Sequence, residues 1–600
     1  MEIAQACGIS PVMARLIRNR GAVGAEQTRR YLTGTLEDLR DPMLLPDVQK
    51  GARIIRDAIR AGEKIRIIGD YDVDGICSAF ILWRVIRFLG GDVDAVLPDR
   101  IRDGYGINER LVREASKDGV ALIVTCDNGI SAVEPLKEAA DLGIGVVLTD
   151  HHEVPYEVTE DGTKAYVLPP AEAVIDPKCP SAETGEPSYP FTGICGAVVA
   201  YKLCQVLLSL YDSEAADAPH DAKSEAAREA LGRELLAFCA LATVCDVMPL
   251  QDENRIIVRE GLRMASEGVN TGLKALIEVT GLSGQNLTVY HAGFVLGPCL
   301  NASGRLGSAE RGLRLFEETD EHKALMMAQD LKDLNDSRKS MTVQGVERAR
   351  QQIIERHMEG DKVLVLYLED CHESLAGIIA GRLKETFQRP SFVLTDTERG
   401  LLKGSGRSIE QYDMYAEMNA CSDLLEKFGG HKMAGGLTLR RENLEDFHQR
   451  LQDNCVLGED DLVETIHVDM ELPPRYVDLD MVREMELLEP CGTQNPRPLF
   501  VTRDILLVSA RVFGKNRNVI RLTGFDSSGT RLDMIRFEAE EAFADVIIDD
   551  LGQGEWAALI RGEGQTLIDM VYYPSINVWN GRESLQFVVQ DFRVAKKTGN

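Results

Sequence analysis

The chain has 600 residues, with 67 Lys+Arg against 96 Asp+Glu and a formal net charge of −29. At roughly 150 residues per domain that length accommodates about three or four domains, and no long uninterrupted apolar run offers a membrane span. The acid excess argues against indiscriminate nucleic-acid binding, which needs Lys and Arg to displace counterions, so any DNA contact must concentrate positive charge in a groove.

The N-terminus, MEIAQACGIS, has neither a basic nor an apolar signal region, which predicts no secretory leader. Residues 1–45 read as a helical, partly basic segment ending near Pro42 and Pro46. Over residues 46–316, short β-branched runs (KIRIIGDYD, VDAVLPDR, VALIVTCDNG, IGVVLTDHHE) alternate with helical stretches, which predicts a parallel sheet covered by helices. Within it, residues 155–190 read as a long Pro- and Gly-rich loop, 212–228 as a flexible Ala/Asp/Ser-rich insertion, and 229–315 as mostly helical. Residues 317–358 have the composition of one long connecting helix. KVLVLYL opens a second α/β segment over 359–462. Residues 463–600 change texture: ILLVSARVFG, VIRLTGFD, LDMIRFE, EWAALIRGE and LQFVVQDFRV read as strands of a small all-β domain. The thirteen cysteines form no CxxC pair, which excludes zinc-ribbon and thioredoxin-like sites and fits reduced, buried thiols of a cytoplasmic protein.

Three acidic clusters occupy one kind of position, the end of an apolar strand. Asp70, Asp72 and Asp74 lie in IIGDYDVDG, Asp127 ends VTCDNG, and Asp150, His151 and His152 end VVLTDHH. Asp246, after FCALATV, is a fourth acid able to join them. In an open α/β sheet, ligands bind at the carboxyl ends of the strands. A single Asp there is more often a helix cap or turn residue, but three such clusters repel one another unless cations neutralise them. Carboxylate and imidazole ligands without thiolate suit Mn²⁺ or Mg²⁺ better than Zn²⁺. Two such ions about 3.5–4 Å apart activate water and stabilise both oxygens of a phosphoryl displacement. No G-x-x-x-x-G-K-[ST] is present, which disfavours a P-loop motor.

GDYDVDG with a later TDHH resembles the DHH phosphoesterase superfamily, and the motif order is similar to its RecJ branch of single-strand-specific exonucleases. VTCDNGI, ALATVCDVMPL, LNASGRLGSAE, HESLAGIIAGRLKE, GSGRSI and FGGHKMAGG complete eight motifs in one order between residues 69 and 436. The resemblance implies a DHH domain, a DHH-associated domain joined to it by the long helix, and a C-terminal oligonucleotide-binding (OB-like) barrel. It implies that Asp72, Asp74, Asp127, His151 and Asp246 hold two metal ions, with Asp70 and Asp150 as weaker candidates, and that His152 stands near the scissile phosphate or orients the ligands. Where some relatives place a His two residues before the first acid, this chain has Ile68, which implies one protein ligand fewer at one metal.

Arg suits phosphate because its planar fork meets two oxygens at once. Arg100 in PDRIRDGYG, Arg305 with Asn301 in LNASGRLG, and Ser405 with Arg407 in GSGRSI are implied to grip the 5′-terminal phosphate and the backbone. The glycines around Arg407 would let backbone N–H groups approach a phosphate closely. His372 and His431 join this set through their motifs, although a lone His is more often structural; FGGHKMAGG reads as a phosphate- or base-facing loop or as a tight turn between helices. Arg511, Phe513, Lys515 and Arg517 in ARVFGKNR offer the cationic and aromatic mix of a single-strand groove, or an ordinary charged hairpin.

The implied activity is 5′-to-3′ hydrolysis of single-stranded DNA to nucleotide 5′-monophosphates, in repair and recombination. A helicase and a single-strand-binding protein are the implied partners of a monomeric enzyme. The competing readings are a phosphodiesterase of short oligonucleotides or cyclic dinucleotides, whose members lack a terminal barrel, and a non-catalytic replication module, whose members lose the metal acids retained here.

Overall fold

The structure, a computed structural model, describes residues 2–159, 163–181, 184–214, 224–397, 400–463 and 465–595. It divides into two compact units, one of Asp41–Met248 with Glu260–Thr465, the other of Met1–Arg40, Pro249–Arg259 and Ile466–Asn600.

The larger unit carries two sheets. The first contains β1 (Lys64–Ile68), β2 (Asp92–Val96), β3 (Leu122–Cys126), β4 (Gly145–Thr149) and β5 (Ala173–Ile175) in the order β2-β1-β3-β4-β5, every neighbouring pair parallel. The chain leaves β1 toward one edge and returns to β3 on its other side, so the order reverses between β1 and β3, where ligands bind in such sheets. Helix α1 (Val73–Phe88) is apolar almost all round because it lies between the sheet and further helices. Its Phe80 meets Phe238 of α3 (Glu225–Cys245) at 4.5 Å between ring centroids. Helix α2 (Gly196–Glu214) packs beside both. The predicted loop over 155–190 is not all loop: it holds a short hairpin, Tyr156–Val158 with Lys164–Tyr166, and β5, whose register with β4 buries Ala173, Val174 and Ile175. Of the predicted 212–228 insertion, residues 215–223 lie outside the described residues.

Helix α4 (Gly297–Leu306) precedes the long helix α5 (Glu321–Glu355). Beyond it come β6 (Leu364–Tyr367), α6 (Ala376–Phe387), β7 (Ser391–Asp396), β8 (Leu401–Arg407), β9 (Leu425–His431) and β10 (Ala434–Arg440), in the sheet order β9-β10-β8-β7-β6.

In the smaller unit, β11 (Met470–Glu471), β12 (Phe500–Phe513), β13 (Val519–Phe525), β14 (Arg531–Arg536), β15 (Thr566–Trp579) and β16 (Arg582–Val594) run in the order β11-β12-β13-β14-β16-β15. Pairing of β12 with β15 closes five of them into an OB-like ring, with β11 added outside it. EWAALIRGE is not a strand: it falls in a helix, Gln553–Arg561, inserted with Glu540–Leu551 before β15. An amphipathic stretch this short fits either period, and contact with the barrel decides it as helix. The N-terminal helices Pro11–Asn19 and Ala25–Thr33 do not stand apart: Met13, Leu16, Ile17 and Tyr31 share one core with Phe500, Leu507 and Tyr572. All thirteen cysteines are free and most are buried. Among the described residues no helix is long and apolar enough to cross a membrane.

Candidate metal centre and phosphate cradle

The carboxyl ends of β1, β3 and β4 deliver the three acidic clusters to one point. The loop after β1 supplies Asp70, Asp72 and Asp74. Asp72 caps α1, accepting from Gly75 N at 3.0 Å, so its capping role and its place in the cluster coexist. Asp74, in the first turn of α1, is gripped by the N-terminus of α2: Gly196 N donates to Oδ2 at 2.7 Å and Ala197 N to Oδ1 at 2.8 Å. Both N–H groups are unpaired helix-terminal donors, which favour a carboxylate. Gly196 is there because a Cβ would lie 2.8 Å from Asp127 Cβ and 3.1 Å from Asp74 Oδ2. Asp127 adopts a left-handed backbone (φ 60°), which Asp tolerates better than most residues.

His151 is the hub. Its Nε2 lies 3.1 Å from Asp127 Oδ1, 3.5 Å from Asp74 Oδ2 and 3.6 Å from Asp246 Oδ2. Asp246 arrives as the C-terminal cap of α3. Three overlapping sets have ligand atoms all within 4.8 Å of one another: Asp74/His151/Asp246, Asp70/Asp72/Asp127 and Asp127/His151/His152. Burial, and then mutual repulsion, raises the pKa of Asp70, Asp72, Asp127 and Asp246. Burial also keeps His151 neutral by lowering its pKa, leaving its ring free to offer a lone pair. Neutral imidazole among repelling carboxylates is a donor set that fits divalent cations.

Asp150 stands differently. Its Oδ2 accepts from Ile130 N at 2.9 Å, and its Oδ1 accepts from His151 N at 2.7 Å and His152 N at 3.2 Å and lies 2.8 Å from His152 Nδ1. Its oxygens are thus occupied in holding the His-His loop. Although burial opposes it, the His152 partner keeps the Asp150 pKa low, and Asp150 in turn raises His152 to about 9. His152 is exposed, with its ring edge-on to Tyr105. Ile68 is buried at the end of β1, and its carbonyl accepts from Asn128 Nδ2 at 3.1 Å.

The arginines gather nearby. Arg100 lies over the Tyr71 ring, 4.6 Å from its centroid. Arg305 ends α4, donating to Ser374 O at 2.7 Å, with half-buried Asn301 one turn earlier. Burial first, and then Arg100, Arg338 and Arg407, push the Arg305 pKa down to about 10. Cations crowded this closely form a cradle suited to a phosphate. Arg407 donates to Ser405 Oγ at 2.9 Å. His372 Nδ1 lies 2.8 Å from Ser374 Oγ.

Two local readings are corrected. GSGR is no loop opening its N–H groups to phosphate: β8 is paired on both sides, so its backbone is spent in the sheet. Gly406 serves packing, since a Cβ there would lie 2.7 Å from the Phe392 ring. FGGHKMAGG is neither a loop nor a turn between helices but the β9–β10 hairpin, with exposed His431 facing Ala434 across a two-residue turn and accepting from Met433 N. Glycine-rich runs carry little strand signal, and only neighbouring strands decide them. On the barrel, Arg511, Phe513 and Lys515 are exposed, with Arg511 opposite Arg521, whereas Arg517 is paired to Glu540 in the turn.

The sequence reading missed several residues. Tyr105 donates to Asp127 O at 2.6 Å and lies 3.2 Å from His152 Nδ1; it stands in the PDRIRDGYG motif already noted for its arginine. Gly196 and Arg338 carry no comparable local signal. Asp176, a further strand-end acid after β5, is buried, with its pKa raised to about 7 by burial and then by Asp150.

A parallel sheet with carboxylates and histidine at its switch point, and an arginine cradle beside them, defines a metal-dependent phosphoesterase of the DHH class. Family models agree: the DHH family N-terminal domain matches residues 64–243, the DHHA1 domain 360–456 and the RecJ OB domain 468–591. The single-stranded-DNA-specific exonuclease RecJ of Bacillus subtilis (strain 168) is 32% identical over 98% of this chain and 68% of its own length. The RecJ of Escherichia coli (strain K12) is 31% identical over 97% of this chain and 96% of its own. The crystal structure of Thermus thermophilus RecJ in complex with Mn²⁺ superposes with a TM-score of 0.77 at 26% identity, covering 99% of this chain and 78% of that one. The chain belongs to the RecJ family.

Proposed function

We propose that this chain hydrolyses single-stranded DNA from its 5′ end, releasing nucleotide 5′-monophosphates, with Asp72, Asp74, Asp127, His151 and Asp246 holding two divalent ions. The observation that carries the reading is the convergence of strand-end carboxylates on neutral His151, beside a cradle of crowded arginines. Asp70 extends the ligand set, and Asp150 acts by fixing the His-His loop. Mn²⁺ or Mg²⁺ bound there supplies a nucleophilic water and charge stabilisation at the scissile phosphate. The protein's own groups do the rest. Arg100, Arg305 and Arg407 hold the terminal phosphate through forked contacts, with Ser405 and Asn301 beside them. His152, kept protonated by Asp150, faces solvent at the rim, where it can donate to a phosphate oxygen or to the departing oxygen. Tyr105 fixes the backbone of Asp127 and the ring of His152. The barrel face with exposed Arg511, Phe513 and Lys515 offers cationic and aromatic contacts to single strand. A cytoplasmic monomer supplied with strand by a helicase and a single-strand-binding protein completes the reading.

The test is a timed digestion of end-labelled 5′-phosphorylated single strands, matched duplexes and a dinucleotide, with Mn²⁺ and with EDTA. Metal-dependent release of mononucleotides from the 5′ end, with the duplex spared, is expected. Cleavage of the dinucleotide alone would assign the chain to small substrates; binding without cleavage would make it a non-catalytic module.

A further inference from the structure

Two aromatic side chains stand exposed where burial would be the rule. Tyr290 is 64% exposed and Phe294 68%, yet their rings stack on each other, 5.3 Å between centroids and 22° between planes. Phe294 lies in a π-helical turn, His291–Leu296, that Tyr290 immediately precedes and that runs without a break into α4. Such turns are rare and concentrate at functional sites. This one is fixed in place: Cys245 Sγ donates to Ala292 O at 3.6 Å, and Gly297 has no room for a Cβ beside Cys245. The aromatic pair is thereby anchored to the residue next to Asp246.

The residue on the other side of Asp246 adds a second observation. Val247 takes a left-handed backbone (φ 56°) at the end of α3, the position where glycine usually closes a helix. A β-branched residue pays steric strain there, yet its side chain is 66% exposed and packs no core. Strain kept without a packing return is a mark of functional rims.

The rod formed by the π-turn and α4 relates this rim to the cradle. Its N-terminal end touches Cys245, next to Asp246. Near its C-terminal end, a Cβ on Gly304 would lie 2.6 Å from the carbonyl of Tyr71, between Asp70 and Asp72. Phe294 and Arg305 therefore stand at opposite ends of one rod that runs past the carboxylates, about 16 Å apart at 1.5 Å per residue. That is about four or five stacked nucleotide steps at 3.4 Å each.

We infer that Tyr290 and Phe294 form a base-stacking platform for nucleotides on the 3′ side of the scissile phosphate, with strained Val247 on the rim beside Asp246, while the arginine cradle takes the 5′ end. The inference rests on the exonuclease reading above. Stacking grips any base, because every base has a π face, and it requires unpaired bases. The platform thus contributes strand affinity without sequence preference and disfavours duplex.

The experiment compares wild type with Tyr290→Ala, Phe294→Ala, the double variant and the conservative Phe294→Tyr. The substrates are a 5′-phosphorylated dinucleotide, a 12-mer, and a 12-mer made abasic at its third to fifth positions. Each alanine is expected to raise KM on the intact 12-mer about 5-fold to 100-fold, with kcat and dinucleotide kinetics unchanged and Phe294→Tyr near wild type. The abasic 12-mer should show wild type and double variant alike. A cleavage-resistant phosphorothioate strand carrying 2-aminopurine at those positions should be quenched by wild type and not by the double variant. Unchanged KM on the intact 12-mer, equal loss on the dinucleotide, or quenching retained in the double variant would overturn the platform. Quenching by a wild-type protein that cleaves nothing would instead remove the exonuclease reading and leave the platform standing.

Discussion

Gly196→Ala concentrates the argument about the metal centre in one methyl group. Gly196 touches no phosphate and supplies no ligand side chain, but an added Cβ would lie 2.8 Å from Asp127 Cβ, 3.0 Å from its Cα and 3.1 Å from Asp74 Oδ2. Two of these atoms belong to buried, tightly packed Asp127, so relief requires the start of α2 to retreat and its two N–H bonds to Asp74 to lengthen. Overpacking of this kind costs about 1–3 kcal/mol. Shifting a reacting constellation by an ångström costs about 100-fold in rate, and disturbing the groups that orient metal ligands costs about 10–100-fold in metal affinity. The assay is the initial rate on a 5′-phosphorylated single strand across a Mn²⁺ titration, beside a thermal melt. The expected result is a Mn²⁺ midpoint raised at least tenfold, a maximal rate lowered by about two orders of magnitude, and a modest loss of thermal stability. Gly232→Ala is the control: it lies in α3, which ends at Asp246, a Cβ there meets nothing within 4 Å, and alanine favours a helix by about 1 kcal/mol. It should preserve activity. A Gly196→Ala enzyme with an unchanged Mn²⁺ midpoint and full rate would refute the placement of Asp74 and Asp127 in the metal set.

Asp127→Asn keeps a side chain that tolerates the left-handed backbone but removes the charge facing His151, so cleavage should fall by more than about 100-fold with the melting curve nearly unmoved; activity retained in Mn²⁺ would take Asp127 out of the ligand set. Arg305→Lys keeps a cation but loses the fork and the bond to Ser374 O, which should raise KM for 5′-phosphorylated strands about tenfold and leave 5′-hydroxyl strands little affected. Equal Michaelis parameters on both ends would reject its phosphate role. Deleting residues 2–33 removes Met13, Leu16 and Ile17 from the core shared with the barrel strands, about 1.5–3 kcal/mol apiece, against a total stability of about 5–15 kcal/mol. The barrel should then become protease-sensitive, and a protected barrel would show that those helices are dispensable.

What the sequence determined by itself is what depends on local pattern. Alternating apolar runs and helices identified the parallel sheet, and acids placed where those runs end identified the metal-ligand candidates, because a strand's end is readable wherever apolar residues give way to polar ones. The long helix Glu321–Glu355 was legible for the same reason: helical composition over so many residues leaves no competing period. Tertiary structure alone decided the rest. GSGRSI and FGGHKMAGG became paired strands because neighbouring strands, and no side-chain preference, fix the backbone of glycine-rich chain. EWAALIRGE became helix because contact with the barrel outweighed a pattern too short to choose. The division of labour among Asp150, His151 and His152, three adjacent residues that spacing cannot tell apart, was set by which carboxylate meets backbone N–H groups and which meets imidazole. Gly196 and the Tyr290–Phe294 pair acquired meaning only through atoms distant in the chain, since exclusion of a Cβ and exposure of a ring are properties of packing that no local pattern encodes.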